Sequence, residues 1–181
     1  MNSRFNLYHS LFIGFCATLL VVIKSMLRMK LGLSGHSMFL MSLFYLVCYG
    51  ATNKVGSMTL CGLLAGLLAM ILGIGKGGFL ILLKFTLPAI AMDIGLLFIA
   101  NLFSLKLRLI LLALIGSIAW AVKSGLQDFL VGMDIKIVLI QFGVNSLSGS
   151  VFAVLGALLV PLILKRLDAH DLLTKNGMRN K

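Results

Sequence analysis

Four glycines, two lysines, a proline and an aspartate fall within residues 73–93, GIGKGGFLILLKFTLPAIAMD, in an otherwise apolar run. An ammonium or carboxylate placed in apolar surroundings is costly, and such residues mark ligand or ion sites by default. Lys84 and Asp93 are nine positions apart. At about 100° per residue they lie on roughly opposite faces of a helix, so they are not an i,i+4 ion pair. Each is expected to find its partner on another element. Two readings stay open: a structural interhelical bridge or hydrogen-bonded aspartate, or a Lys84 that faces a polar cavity near the outer surface. Asp93 counts as a structural or coupling residue, near mid-membrane if residue 79 starts the span. Pro88 lacks an N–H, which deprives the Lys84 carbonyl of its helical donor and predicts a bend between the two charges.

Lys76 sits in Gly73-x-Gly75-x-Gly77-Gly78. A phosphate-cradling loop needs a preceding strand and a Gly-Lys-Ser/Thr ending, and neither is present. The segment reads as an interhelical turn, or as N–H groups and an ammonium that contact an anionic ligand. His36 and Ser37 open an apolar run, where a serine can cap a helix. Gln141, Asn145 and Ser148 recur at i, i+4, i+7 and give one polar face to a later helix. The candidate ligand-binding set is His36, Ser37, Lys76, Lys84, Gln141 and Asn145, all at ends that the topology allows to share one mouth.

The chemistry implied is binding rather than bond making. No Gly-x-Ser-x-Gly motif with a downstream histidine is present, and no His-x-x-x-His or glutamate-containing metal motif occurs in a chain without glutamate. No catalytic residue, metal or cofactor is expected, and energised transport would need separate ATP-hydrolysing subunits. Cys16, Cys48 and Cys61 form an odd set without a Cys-x-x-Cys pair, each in an apolar run, and read as buried thiols.

The elements that must carry these residues are membrane helices. The 181 residues are 60% hydrophobic and only 12% charged, about half the charge of a soluble domain, and mean hydropathy is +1.10. The chain reads as one all-α membrane domain of six spans, at about 7–27, 36–51, 55–72, 79–103, 107–122 and 145–164, with a polar tail at 165–181. Residues 135–164 are longer than one span needs, which predicts an interfacial or kinked start before residue 145. The net charge of +11 lies between apolar runs, where topology and lipid headgroups account for it without nucleic acid. Basic residues favour both termini inside: Arg4, Lys54, Lys106, Arg108, Lys165, Arg166, Lys175, Arg179 and Lys181 outnumber Lys24, Arg28, Lys30, Lys76, Lys123 and Lys136. Residues 11–23 lack a cleavage site and read as a retained first span.

Small residues recur at helical spacing: Gly62, Gly66, Ala69 and Gly73; Ala113, Ser117 and Ala121; Gly149, Ala153 and Ala157; and a smaller patch of Gly14, Ala17 and Thr18. Gly62-x-x-x-Gly66 is a close-approach pattern for membrane helices. These faces pack the bundle internally, or one of them meets a partner protein.

Leu31-Gly32-Leu33-Ser34-Gly35-His36-Ser37, the run from Thr59 to Leu68 (TLCGLLAGLL), and Lys84-Phe85-Thr86-Leu87-Pro88 with Asp93, set on six short spans, resemble the substrate-binding (S) components of energy-coupling-factor transporters. The resemblance covers about residues 7–165. It implies a six-helix vitamin- or precursor-binding subunit that takes ligand near the outer surface and works with a membrane coupling protein and two cytoplasmic ATPases. It implies that an Ala-x-x-x-Ala motif on the first span docks the coupling protein, for which Gly14-x-x-x-Thr18 is the nearest match. The Met-His start of the cobalt and nickel members is replaced by Met1-Asn2-Ser3, which argues against a metal ion as substrate. The expectation is therefore a subunit of an ATP-driven micronutrient uptake transporter in a bacterial cytoplasmic membrane, with a small organic, possibly anionic, ligand. The alternative is a membrane scaffold that packs lipid or a partner protein.

Overall fold

The computed structural model describes residues 7–31, 36–74, 79–99 and 105–169. Among these, all regular structure is helical: α1 (Leu7–Leu31), α2 (His36–Thr52), α3 (Ser57–Ile71), α4 (Phe79–Ile99), α5 (Leu105–Leu130) and α6 (Ile135–Ala169). Four of them, α1, α4, α5 and α6, are long and apolar enough to cross a membrane, while α2 and α3 are shorter apolar helices. The protein is a multi-pass integral membrane protein.

Helix ends follow local chemistry. α3 stops at a Schellman arrangement, in which Ile74 N–H donates to the Ala69 carbonyl and Gly73 N–H to that of Met70. Gly73 takes φ 63°, a left-handed conformation that a glycine adopts without Cβ strain. The same closure ends α5, with Met133 N–H on Asp128, Gly132 N–H on Phe129, and Gly132 at φ 86°. The Asp134 carbonyl then accepts from Ile137 and Val138 and starts α6.

Neighbours pack as the small-residue spacing requires. A Cβ on Gly62 would lie 2.6 Å from the Ala89 Cβ and 2.9 Å from the Phe85 carbonyl oxygen, so α3 and α4 touch nearly backbone to backbone. Gly66 meets Leu82 in the same seam, and the two helices run antiparallel. Ala113, Ser117 and Ala121 of α5 and Gly149, Ala153 and Ala157 of α6 are all buried. The Ser117 and Ser150 hydroxyls meet at 2.9 Å across α5 and α6. The Ser42 hydroxyl donates to the Ala153 carbonyl at 3.1 Å and ties α2 to α6. The internal-packing reading thus holds for these three stripes.

Two spans differ from expectation. α5 continues to Leu130 and α6 begins at Ile135, instead of ending near 122 and starting near 145. No proline falls between residues 123 and 130, and Gly125 lies in ordinary contact with Phe142 and Val138 of α6. α6 is one helix of 35 residues, about 52 Å long. The extra length is continuous helix without a break before residue 145. α1 likewise runs to Leu31, beyond the expected end near 27, so positions 28 and 30 also belong to the helix.

The bundle has two ends. One carries the α1–α2, α3–α4 and α5–α6 connections. The other carries the α2–α3 turn, the start of α1 and the end of α6.

Candidate functional site

Asp93 is 5% exposed and belongs to the α2–α3 end. The start of α3 explains why. Its N-cap residue is Gly56, at φ 91°, with no side chain to satisfy the first N–H groups. Ser57 does not substitute, because its hydroxyl donates to the Lys54 carbonyl at 2.9 Å. Asp93 supplies the cap from α4: Gly56 N–H donates to Oδ1 at 3.1 Å, while Thr59 N–H at 2.7 Å and the Thr59 hydroxyl at 2.5 Å donate to Oδ2. The aspartate's partners are therefore donors on α3. It sits level with the first turn of α3, because α4 crosses α3 antiparallel and Asp93 falls in the last third of α4. Arg108 lies nearby, its guanidinium carbon 5.5 Å from the Tyr49 ring centroid.

The three-connection end holds a different group. Lys24 of α1 reaches inward and places its buried Nζ 3.9 Å from the centroid of Phe85 on α4, a cation–π contact. The Tyr45 hydroxyl of α2 fixes this ring's backbone by donating to the Phe85 carbonyl at 2.8 Å. Pro88 is inside α4 and deprives the Lys84 carbonyl of its helical donor, and the Tyr45 hydroxyl bonds the adjacent carbonyl, that of Phe85. α4 remains helical through the proline. Ser37, in the first turn of α2, is 6% exposed, and its hydroxyl is buried without a hydrogen-bond partner. Such a group costs about 1–3 kcal/mol unless something else satisfies it.

Several expected site residues come to this end. Met38, next to Ser37, lies against Gly149 of α6 together with the ring of Trp120 from α5. Asn145, half-buried, is one turn before Gly149, and its carbonyl accepts from the Ser148 hydroxyl at 3.3 Å. Ser37 and Asn145 are thus at one level of the bundle. Lys84 is half-buried and precedes Phe85 in α4. Gln141 is exposed, on the part of α6 that pairs with the end of α5. Lys76 and the side chain of His36 lie outside the described residues. Lys123 hydrogen-bonds Gln127 within α5.

The first-span patch divides. Ala17 is buried, Thr18 is exposed with its hydroxyl on the Phe15 carbonyl at 2.8 Å, and a Cβ on Gly14 would meet nothing within 4 Å. The patch opens outward beside Leu11, Phe15 and Val22, all exposed. The three thiols are free and buried, and they converge from α1, α2 and α3, with Cys48 in hydrogen-bonding reach of both Cys16 and Cys61. Among the described residues no cluster of His, Cys, Asp or Glu is arranged to hold a metal ion.

Sequence reasoning placed Lys24 near the end of the first span among its closing basic residues, and it did not pair Lys24 with Phe85 or Phe85 with Tyr45. The Tyr45–Phe85 contact joins helices 40 residues apart and leaves no local trace.

A crystal structure of an S-component of an ECF transporter has the same fold, with a TM-score of 0.68 over 97% of this chain and 91% of that one, at 14% sequence identity. No family model matches the chain, and no curated protein matches it.

Proposed function

We propose that this chain is the substrate-binding subunit of an energy-coupling-factor type uptake transporter in a bacterial cytoplasmic membrane. The observation that carries the reading is the fold likeness to an S-component over nearly the whole of both chains. Two further features support it. Toward the three-connection end Lys24 of α1 lies on the Phe85 ring of α4, and the first turn of α2 carries the buried, unpartnered Ser37 hydroxyl. The opposite end is tied down by Asp93, as a fixed base needs.

In this reading both termini are cytoplasmic and the three-connection end faces outward. Ligand enters there, with Lys84 and Asn145 beside the Lys24–Phe85–Ser37 group and with Lys76, His36 and Gln141 on or near the closing connections. The exposed Gly14–Thr18 face of α1 docks a membrane coupling protein. Two cytoplasmic ATPases supply the energy, and the chain itself contributes binding and reorientation.

The test is reconstitution. The chain should copurify with a small molecule released on denaturation. In liposomes with a coupling protein and ATPases, it should support ATP-dependent accumulation of that molecule. Isolation with a stoichiometric membrane partner, no small molecule and no uptake would instead indicate a scaffold.

A further inference from the structure

All three cysteines of the chain meet at one place, toward the α2–α3 end of the bundle. Cys16 of α1, Cys48 of α2 and Cys61 of α3 are free thiols, and Cys48 lies in hydrogen-bonding reach of both others. Among the described residues no such cluster is arranged to hold a metal ion. The chemistry left to neighbouring thiols is loss of electrons to form a disulfide. The three differ in access. Cys48 and Cys61 are 0% exposed and Cys16 is 4% exposed. An oxidant therefore meets Cys16 first, and Cys48 is the sulfur beside it.

The two possible pairs also differ in effect. Cys48 is one turn before α2 ends at Thr52, and Cys61 is in the second turn of α3, which starts at Ser57. A Cys48–Cys61 bond would join two helices that the chain already joins beside them. The α1–α2 connection lies at the opposite end of the bundle, so a Cys16–Cys48 bond would give α1 a covalent tie at the end where it has none. Cys16 shares the inward face of α1 with the buried Ile13 and Leu20, while Leu11, Phe15 and Val22 look outward. The bond would hold the inward face on α2 and leave the outward face unchanged.

We propose that Cys16 and Cys48 form a redox-sensitive staple between α1 and α2. The oxidant is a lipid-soluble quinone. Two S–H bonds break and one S–S bond forms, and the quinone takes up the two electrons and two protons and leaves as hydroquinone. A reductant that returns two electrons and two protons restores both thiols. The apolar surroundings select an oxidant of this class, because a charged one has no route to sulfurs buried in hydrocarbon. Buried thiols react slowly. The bond therefore forms as α1 parts from α2, and it then ends that parting.

The test treats the purified full chain in liposomes with duroquinone, whose four methyl groups leave no open ring position for a stable thiol adduct. Intact mass should show the loss of two hydrogens, and peptide mapping should show Cys16 joined to Cys48. Amide hydrogen exchange across α1 should slow severalfold in the oxidised protein. Tris(2-carboxyethyl)phosphine should reverse both changes. Cys61→Ala should keep the bond, and Cys16→Ala should abolish the slowing of α1. Mapping of the wild-type chain decides the matter even where a variant fails to fold. No loss of hydrogens at saturating duroquinone, a bond mapped to Cys48–Cys61 or between two chains, or unchanged α1 exchange in fully oxidised protein overturns the staple. None of these readouts depends on the chain binding a substrate.

Discussion

Asp93 and Lys24 are both charged groups inside apolar helices, at opposite ends of the same bundle. The aspartate's two oxygens accept three hydrogen bonds from α3 at 2.5–3.1 Å. It completes a helix start that Gly56 leaves uncapped. The lysine rests on an aromatic face at 3.9 Å, at the end of the bundle where the buried Ser37 hydroxyl has no protein partner. At one end the charge is matched by donors on α3, and at the other the Ser37 hydroxyl is left without a hydrogen-bond partner. A buried charge is therefore informative only together with an account of its donors and acceptors. Saturated on its own chain it is architecture, and beside unsatisfied groups it is a candidate for recognition.

That contrast can be broken most forcefully at the closed end. Asp93→Ala should remove all three bonds and strand two N–H groups of α3, destabilising the fold by about 3 kcal/mol or more. The measurement is the shift in thermal or denaturant midpoint in detergent. A ligand-binding defect in Asp93→Ala with an unchanged midpoint would place Asp93 with the site instead.

Gly62→Leu should follow, at about 2–3 kcal/mol, because the added atoms enter the Phe85 and Ala89 contact. A double variant with Ala89→Gly should recover part of this loss if the α3–α4 seam is the cause.

At the open end the effects should fall on affinity. Lys84→Ala should lower ligand affinity with normal membrane insertion, and an unchanged affinity would remove Lys84 from the site. Tyr45→Phe should cost about 1 kcal/mol of stability through the lost bond to the Phe85 carbonyl. It should also weaken binding slightly by loosening the ring under Lys24.

The smallest effect on the isolated chain belongs to α1. Gly14→Val, on a helix face with open space, should leave stability within about 0.5 kcal/mol and ligand affinity unchanged. It should reduce copurification of a coupling protein if that face docks one.

Much of the fold was legible. Six apolar runs gave the helices, and the small-residue spacing marked which faces touch. Local chemistry was legible too: Gly73 ended α3 because a left-handed residue was needed there. The helix lengths were harder to read. Charges at positions 28–30 and 123–128 suggested loop, yet helices continue through them, because lysines near a membrane surface do not break a helix.

Lys84, Ser37 and Asn145 stood out in the sequence as polar residues in apolar surroundings. Lys24 read only as one of the basic residues that close the first span, and its place on the Phe85 ring had no local signal. That Asp93 would meet the first turn of α3 was not legible, because counting along one span ignores where the crossing helix begins. No pattern along the chain shows that a glycine at position 56 will borrow its cap from position 93. That relation exists only once α3 and α4 pack.

The length of α6 has a mechanical consequence. Its neighbour α2 has 17 residues and α3, elsewhere in the bundle, 15, about 25 and 22 Å, against about 52 Å for α6. The hydrocarbon layer is about 30 Å deep. α6 therefore leans or stands proud of the oil, and Ile137, Ile140 and Val144, all exposed, form an apolar spur at the three-connection end. Deeper bilayers wet less of that spur than shallow ones do. Membrane thickness thus becomes a variable that this end of the protein senses directly, and lipids of graded chain length are the instrument for measuring it.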